Sequence, residues 1–408
     1  MTIACTDCGT LQDIPRLPWG AIAICPTCDS RLERTNGRSV TAALACALAT
    51  FVLLFPANLL PFMHASMLGR TRESRLGSGV ITLWQNHWVL LALLVAAFAV
   101  ILPFVRFGLL SLVLTMLRLR RRPHWLGRAF RWSLYLDQWA MPDVYLIGCA
   151  VGYSRIAAVM PVKIGWGGIC FVLAAFLCML SRAVLDARAV WRALAPECAA
   201  PPEDEPAIAC RFCDLVLPGG EAGTHCPRCG LRVSTRKPDS VGRTLALVVA
   251  GFVLLFPANI YPMSVDRQLG TLVPHRIVGG IAELFRAHLW PLGVLIFCTS
   301  IAIPLLKLAG LSWFLLSLRR GSRYRLVLKT RLCHLIDEIG RWSCIDVFTI
   351  AAFMPLMQFD GLVSTNAANG ALPFMLAVVI TMLASHTFDP RLMWDAALAQ
   401  PQANAPST

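Results

Sequence analysis

Charged side chains are scarce in this sequence of 408 residues. Asp, Glu, Lys and Arg together make up 15% of it, whereas 57% of the residues are hydrophobic. A soluble domain carries about 25% charged residues. The shortage of charge therefore argues against an ordinary soluble domain and indicates that lipid is the main solvent of this chain.

Acidic residues are the scarcer of the two signs, with 23 Asp and Glu against 37 Lys and Arg, which gives a formal net charge of +14. A basic balance is one mark of nucleic-acid binding. Most of these basic residues, however, flank apolar segments instead of forming one cluster. We interpret them as determinants of membrane topology and as contacts to the lipid bilayer, and we expect no nucleic-acid partner.

The sequence also lacks a nucleophile elbow, a P-loop, an HExxH motif and a dinucleotide-binding fingerprint. An ATP-driven mechanism within this chain is not expected, and neither is an enzyme activity. The N-terminal residues lack a basic region followed by an apolar run, so no cleavable signal peptide is expected. The first 38 residues are therefore expected to be cytoplasmic.

Cysteine, in contrast, is abundant, and eight of the 16 cysteines fall in two CxxC…CxxC sets. Residues 9–24 separate the pairs of the first set, and residues 214–225 separate those of the second. Such pairs are typical of one tetrahedral zinc ion held by four thiolates, which leave no open position. The sequence therefore predicts two structural Zn²⁺ sites, with the ligands Cys5, Cys8, Cys25 and Cys28 in one and Cys210, Cys213, Cys226 and Cys229 in the other.

Other uses of the two cysteine sets stay open at this stage. A rubredoxin-like iron or an iron–sulfur cluster also takes four thiolates, and disulfides are a further possibility. A thioredoxin-like redox pair would need a βαβ context, which the sequence lacks. The other eight cysteines lie mostly in or beside apolar stretches, and we interpret them as small buried hydrophobic residues.

The sequence repeats itself with a period near 200 residues. FVLLFPAN at residues 51–58 recurs at residues 252–259, an offset of 201. QWAMPDVY at residues 138–145 aligns with RWSCIDVF at residues 341–348, an offset of 203. Each copy has its cysteine set first and its apolar segments afterwards, which indicates a parallel repeat of one whole module.

The fold class predicted from this pattern is an all-α polytopic membrane protein. It consists of two tandem four-helix transmembrane units, each preceded by a small cytoplasmic zinc ribbon. The spans are predicted at residues 41–63, 84–117, 133–159, 165–184, 243–263, 286–318, 341–357 and 371–388. The domains are predicted as a first zinc ribbon at 1–38, a first transmembrane unit at 39–191, a Pro- and acid-rich linker at 192–209, a second zinc ribbon at 210–236, a second transmembrane unit at 237–394 and a disordered tail at 395–408.

The distribution of basic residues predicts the orientation. Residues 118–131 contain six arginines, and residues 319–331 contain five arginines and one lysine. The positive-inside rule then places both termini and both cysteine sets in the cytoplasm. Arg70, Arg72 and Arg75 lie in a loop predicted on the other side and are a minor exception.

Several polar residues interrupt the apolar segments of the second copy. Lys307 and Asp346 are predicted at similar depth near the cytoplasmic end of the membrane, where opposite charges pair. With Ser300, Ser343 and Thr381 they predict a polar track. The first copy retains Arg106 and Asp143 but has Ala99, Ala140 and Cys178 at the positions of the other three. The simpler alternative is that Lys307 and Arg106 snorkel to the membrane interface, each near a structural carboxylate.

The duplicated cysteine sets, FxxxFPAN and W-[AS]-x-x-D-V-[YF] together resemble the paraquat-inducible protein A family, including its lipophilic envelope-spanning tunnel protein A branch. The resemblance covers residues 5–394 and implies a multi-pass protein of the bacterial inner membrane. It also implies a periplasmic MCE-domain partner that forms a lipid tunnel, phospholipid as the cargo, and tetraspanin-like units with small periplasmic sheets. A proton path in the second unit is implied at Ser300, Lys307, Ser343, Asp346 and Thr381.

The expected function is therefore an inner-membrane component of intermembrane phospholipid transport, coupled to proton movement through the second unit. Two alternatives remain open. In the first, the chain is only a membrane scaffold or anchor for its MCE partner. In the second, it is a thiol redox membrane protein.

Overall fold

The structure is a computed structural model that describes residues 2–15, 18, 20–34, 39–67, 70–157, 160–194, 207–268, 271–286, 288–321, 324–358 and 363–399. The predicted linker is described only at residues 192–194 and 207–209. The predicted tail is described up to residue 399. The remaining parts of both segments lie outside the described residues.

Each cysteine set is built on short antiparallel strands. The first contains two hairpins, β1 (Thr2–Ala4) with β2 (Leu11–Asp13) and β3 (Ile22–Ile24) with β4 (Arg31–Arg34). In the second, which follows the first transmembrane unit in the chain, β8 (Ala207–Ala209) pairs with β9 (Val216–Pro218), and a bridge joins His225 to Arg232. We call residues 2–34 ribbon 1 and residues 207–235 ribbon 2.

The first transmembrane unit, unit 1, follows ribbon 1 and is mostly helical. Its elements are α1 (Val40–Leu59), β5 (Met63–Met67), β6 (Arg70–Ser74), α2 (Ser78–Gln85), α3 (Val89–Ala96), a π turn (Ala97–Ile101), α4 (Leu102–Arg118), α5 (Leu126–Tyr135), a 3₁₀ turn (Leu136–Gln138), α6 (Pro142–Ala157), β7 (Val162–Ile164), α7 (Trp166–Val184) and α8 (Ala187–Leu194). Helix α1 packs against α7 and α4.

The second transmembrane unit, unit 2, repeats this order element by element, which confirms the internal repeat. Its elements are α9 (Ser240–Ile260), β10 (Ser264–Gln268), β11 (Thr271–His275), α10 (Ile277–Arg286), α11 (Trp290–Phe297), a π turn (Cys298–Ala302), α12 (Ile303–Arg319), α13 (Leu326–Gly340), a 3₁₀ turn (Arg341–Cys344), α14 (Ile345–Phe353), β12 (Val363–Ala367), α15 (Ala371–Thr387) and α16 (Arg391–Ala399). Even the two π turns occupy equivalent positions.

Five helices in the described part of the chain are long and apolar enough to cross a membrane: 40–59, 89–118, 166–184, 240–260 and 290–319. A sixth span results if α15 and α16, which meet at 48°, count as one. The molecule is thus a mostly helical, multi-pass membrane protein, as its composition predicts.

The third predicted span of each unit differs most from its expected bounds. Residues 133–159 contain a 3₁₀ turn and then α6, which begins at Pro142. Proline lacks the N–H that a helix interior needs, so it suits the first turn of a new helix. Residues 341–357 contain a 3₁₀ turn and the nine-residue α14. That helix ends two residues before Pro355, which lacks the N–H that would continue the helical hydrogen bonding.

The two units share one hydrophobic core, in which α6 packs against α14. The rings of Tyr145 and Phe348 lie 5.3 Å apart across this interface. Gly79 of α2 lies so close to the carbonyl oxygen of Ala351 that any side chain would overlap it. The interface therefore depends on backbone contact as well as on apolar side chains.

A three-stranded sheet lies at the far end of each unit. The strand order is β6-β5-β7 in unit 1 and β11-β10-β12 in unit 2, and all pairs are antiparallel. Because α1 begins after ribbon 1 and ends before β5, the sheet and the ribbons lie at opposite ends of the helices.

Candidate functional site

The eight predicted metal ligands form four similar knuckles. In each CxxC pair, the amide of the residue after the second cysteine donates to the carbonyl oxygen of the first, over 2.8 to 3.0 Å. That following residue has a positive φ in all four cases: Gly9, Asp29, Asp214 and Gly230. Glycine and aspartate tolerate this left-handed conformation better than most residues. The tight turn directs both sulfurs of a knuckle to the same side.

The knuckles bring four buried Sγ atoms together in each ribbon. The Sγ atoms of Cys5 and Cys28 lie 3.5 Å apart, and so do those of Cys210 and Cys229. A tetrahedral ion with zinc–sulfur bonds of about 2.3 Å separates its ligand sulfurs by about 3.8 Å. A disulfide would need about 2 Å. The donor set therefore fits a tetrahedral metal ion in both ribbons, while the choice of zinc stays a proposal.

Ribbon 1 docks mainly on unit 2, although Glu33 also pairs with Arg192 of α8 in unit 1 over 2.5 Å. Its cysteines pack in one cluster with Trp394 of α16, and Leu326 of α13 borders the same cluster. His334 Nε2 of α13 donates to Asp7 Oδ1 over 2.9 Å, and this carboxylate raises the pKa of His334. Arg391 Nε donates to the carbonyl oxygen of Thr6 over 2.9 Å.

Ribbon 2 docks on unit 1 in the reciprocal manner. Its cysteines share a core cluster with Phe130 of α5 and Trp191 of α8. The ring of Trp191 lies 6.3 Å from that of Phe212, and Arg188 pairs with Asp214 over 3.5 Å. Each four-cysteine cluster therefore packs mainly against the unit from the other half of the chain.

A closed ionic network occupies the ribbon-facing end of unit 1. Arg106, which is 2% exposed, pairs with Asp137 and also donates to Cys178 Sγ over 3.4 Å. Arg182 joins Asp137 to Asp143, with distances of 2.9 and 2.8 Å. Arg341 of unit 2 reaches Asp143 over 3.8 Å. Arg106, Asp137 and Arg182 line a cavity of about 190 Å³ that also includes Ser133. Buried charges with several partners of opposite sign form a rigid arrangement.

The equivalent region of unit 2 contains the predicted polar track. Ser300 Oγ of the π turn donates a hydrogen bond to Asp346 Oδ2 of α14. Thr381 is buried on α15, but its hydroxyl donates to the carbonyl oxygen of Val378 in the same helix, over 2.9 Å. The structure thus brings Ser300 and Asp346 into direct contact.

The other two members of the predicted track, Lys307 and Ser343, are buried as well. Lys307 and Ser343 are each 1% exposed. In the part of the chain that the structure describes, neither Lys307 Nζ nor Ser343 Oγ has a hydrogen-bond partner. Lys307 extends over Gly340 at the end of α13. It is too buried to snorkel to an interface, and its pairing with Asp346 stays a prediction.

Sequence reasoning missed Asp137 and Arg182, which connect Arg106 to Asp143. Both lie at the edges of predicted spans, where a charged residue is easily interpreted as part of a solvated loop. A comparison of the repeats at the offset of 203 would have singled them out, since Gly340 and Ser385 stand at the equivalent positions. The contact of His334 with Asp7 has no such signal, because it joins opposite ends of the chain.

Comparison with known proteins places this arrangement in a family. The family described as paraquat-inducible protein A matches residues 40–195 and again residues 241–397. The chain belongs to the paraquat-inducible protein A family. The family match thus falls on the two units, and it confirms what the sequence motifs indicate.

Curated relatives of this family extend over nearly the whole chain. The chain is 30% identical to intermembrane transport protein PqiA of Escherichia coli K12 over 401 residues, which is 96% of this chain and 95% of that protein. It is 26% identical to lipophilic envelope-spanning tunnel protein A of the same organism over 400 residues, 96% and 91% of the two chains. A probable intermembrane transport protein of Haemophilus influenzae is 25% identical over 410 residues, 96% and 95%. No solved structure matches the chain significantly.

Proposed function

We propose that the protein is the inner-membrane component of an intermembrane phospholipid transport system. The observation that carries this proposal is the similarity along 96% of the chain to a protein named for intermembrane transport. In the proposal the chain is not an enzyme; it exchanges phospholipid with a periplasmic MCE-domain partner. In this proposal the chain keeps the domain bounds predicted from its sequence, with two ribbons and two transmembrane units.

The orientation in this proposal follows the basic loops. Both termini and both ribbons face the cytoplasm, next to the arginine-rich segments 118–131 and 319–331. The two three-stranded sheets then lie on the periplasmic side. They are the part of the molecule that a periplasmic partner would reach first.

The ribbons each hold one structural zinc ion in this proposal. Eight buried thiolates in two sets of four would hold the ions, which supply cross-links and no chemistry. Zinc has no redox role, and four sulfur ligands leave no position for a substrate. The ions would therefore stabilise the cytoplasmic face of the protein.

The coupling to proton movement is assigned to unit 2. Its Ser300–Asp346 hydrogen bond and its Lys307 Nζ, which has no hydrogen-bond partner among the described residues, contrast with the ionic network of unit 1. A carboxylate that exchanges hydrogen-bond partners within a membrane is a typical element of a proton relay. Unit 1 would then serve as a rigid support.

One alternative is a scaffold that anchors the partner without coupling. A thiol redox protein is less favoured, because each ribbon clusters four sulfurs and not two. Burial also raises the pKa of the Cys333 thiol to about 12, which makes this cysteine outside the ribbons a poor nucleophile.

The decisive experiment replaces Asp346 by Asn in a Gram-negative host that lacks its own members of the family. Movement of pulse-labelled phospholipid between the inner and outer membranes is measured, with expression and membrane insertion checked. We expect Asp346→Asn to abolish movement and Asp143→Asn, its equivalent in unit 1, to retain it. Unchanged movement in Asp346→Asn would remove the coupling and favour the scaffold.

A further inference from the structure

The two units differ at the position that supplies a carboxylate to a buried cation in unit 1. Arg106 and Lys307 are equivalent in the repeat, and both are at least 98% buried. Arg106 pairs with Asp137. The residue equivalent to Asp137, at the same offset of 203 that aligns residues 138 and 341, is Gly340. Unit 2 has therefore kept the cation and lost its carboxylate.

Gly340 also shapes the space that Lys307 occupies. A Cβ built on Gly340 would lie 2.5 Å from Lys307 Nζ and 2.9 Å from its Cε. The backbone of Gly340 is ordinary helical, with φ of −56°, so this position does not require glycine for conformational reasons. A side chain at this position would therefore displace the flexible end of Lys307 from its present place.

The carboxylates near Lys307 are already engaged by other groups. The titratable groups that interact with its ammonium are Asp337 of α13, Cys344 of the 3₁₀ turn and His386 of α15. Asp337 accepts from Ser385 over 3.0 Å and from Gln138 over 3.2 Å, and it lies 3.4 Å from His386. Asp346, the remaining carboxylate of the track, accepts from Ser300.

We propose that Gly340 is a positioning residue that keeps Lys307 without a fixed counterion, so that this lysine can release and regain its proton. Arginine stays protonated in proteins, and its ion pair with Asp137 makes unit 1 electrostatically static. Lysine loses its proton readily when it is buried without a partner. This inference rests on the proposed coupling in unit 2 and names the residue that makes the lysine switchable.

The first test asks whether position 340 controls the charge balance of Lys307. The full chain in lipid nanodiscs is compared as Gly340→Asp and Gly340→Asn, each with and without Lys307→Met, by its melting temperature. Asp and Asn side chains have nearly the same size, so the difference between the two variants reports the effect of the negative charge. We expect Gly340→Asp to melt several degrees above Gly340→Asn, and the difference to vanish with Lys307→Met. Equal melting temperatures with Lys307 present would overturn the positioning role.

The second test asks whether the restored ion pair stops transport. Movement of pulse-labelled phosphatidylethanolamine between the two membranes is followed at several pH values in the host described above. We expect Gly340→Asp to reduce it at least about tenfold and to remove its dependence on pH, although the protein remains folded. Full transport by a Gly340→Asp protein that does show the melting difference would overturn the inference.

The proposed function can fail separately from this inference. If Lys307→Met alone transports normally, coupling through the track is wrong, whatever the melting temperatures show. If Lys307→Met is inactive but Gly340→Asp is active, coupling through the polar track is supported and the proposed role of Gly340 is wrong.

Discussion

Asp7 of ribbon 1 accepts a hydrogen bond from His334 of unit 2, over 2.9 Å. Asp7 lies between Cys5 and Cys8 of the first four-cysteine cluster, and its side chain is 6% exposed. His334 lies on α13, six residues before Gly340, a distance of about 9 Å along the helix axis. One helix therefore contacts ribbon 1 through His334 and the Lys307 ammonium at Gly340.

Loss of the Asp7 carboxylate should loosen α13. We expect Asp7→Asn to lower the free energy of unfolding by about 1 kcal/mol, because the partly buried hydrogen bond from His334 loses its charged acceptor. Amide hydrogen exchange over residues 326–340 measures the effect locally. The control is Asp29→Asn, which removes the exposed pair with Arg331 at 3.7 Å and should change little. Equal effects of both variants would contradict this assignment.

Removal of one metal should act on the opposite half of the chain. We expect Cys25→Ser to lower the zinc content from two ions per chain to one and to increase hydrogen exchange over residues 326–340. Cys226→Ser should give the same zinc loss but increase exchange over residues 126–135 and 187–194. Elemental analysis and hydrogen-exchange mass spectrometry measure both effects. The crossed docking would be disproved if each variant affected only the unit that follows its own ribbon.

Gly127 should be intolerant of even a methyl group. A Cβ at this position would overlap the carbonyl oxygen of Arg228 in ribbon 2. We therefore expect Gly127→Ala to separate ribbon 2 from α5 and to increase its cleavage by a soluble protease. Gly279→Ala is the matched control, because a Cβ there meets no atom within 4 Å. Similar cleavage of the two variants would show that the contact is unimportant.

The ionic network of unit 1 should depend on Asp137. Asp137→Asn leaves the buried Arg106 without its carboxylate, and we expect a loss of about 3 kcal/mol in stability. The melting temperature of the protein in nanodiscs measures this loss. Glu338→Gln, which removes the exposed partner of Arg341 at 2.5 Å, should have little effect. A melting temperature of Asp137→Asn like that of the wild type would mean that Arg106 is balanced in another way.

The hydroxyl of Ser300 should matter more than that of its neighbour. We expect Ser300→Ala to reduce phospholipid movement about tenfold, since Asp346 loses a charge-assisted hydrogen bond worth roughly 1.5 to 3 kcal/mol. Thr299→Ala is the control, because the Thr299 hydroxyl donates to the carbonyl oxygen of Leu295, one turn earlier in the same span. If both variants transport alike, the Ser300–Asp346 contact has no part in transport.

The sequence was sufficient to predict the repeated units and the knuckles, because each has a local signature. FPAN recurs at an offset of 201, and the CxxC pairs specify both the turn and the ligand set. Helix bounds were predicted less well. Pro142 and Pro355 limit α6 and α14, whereas the apolar runs around them continue further along the chain.

The placement of the ribbons could not be predicted. It depends on contacts such as His334 with Asp7 and Trp191 with Phe212, whose partners are far apart in the sequence. The link between Arg106 and Asp143 was missed for a related reason. Arg182 connects them only once α7 packs beside the 3₁₀ turn that carries Asp137.

The exchange of ribbons between the two halves has a consequence for the origin of the molecule. A single-module ancestor with this docking would have formed the same contacts only as a domain-swapped homodimer, in which the N-terminal ribbon of each subunit packs on the other subunit. Gene duplication and fusion would have preserved this domain-swapped arrangement within one polypeptide. A chain severed between residues 195 and 206 should accordingly yield two fragments that are stable as a co-expressed pair and deficient apart.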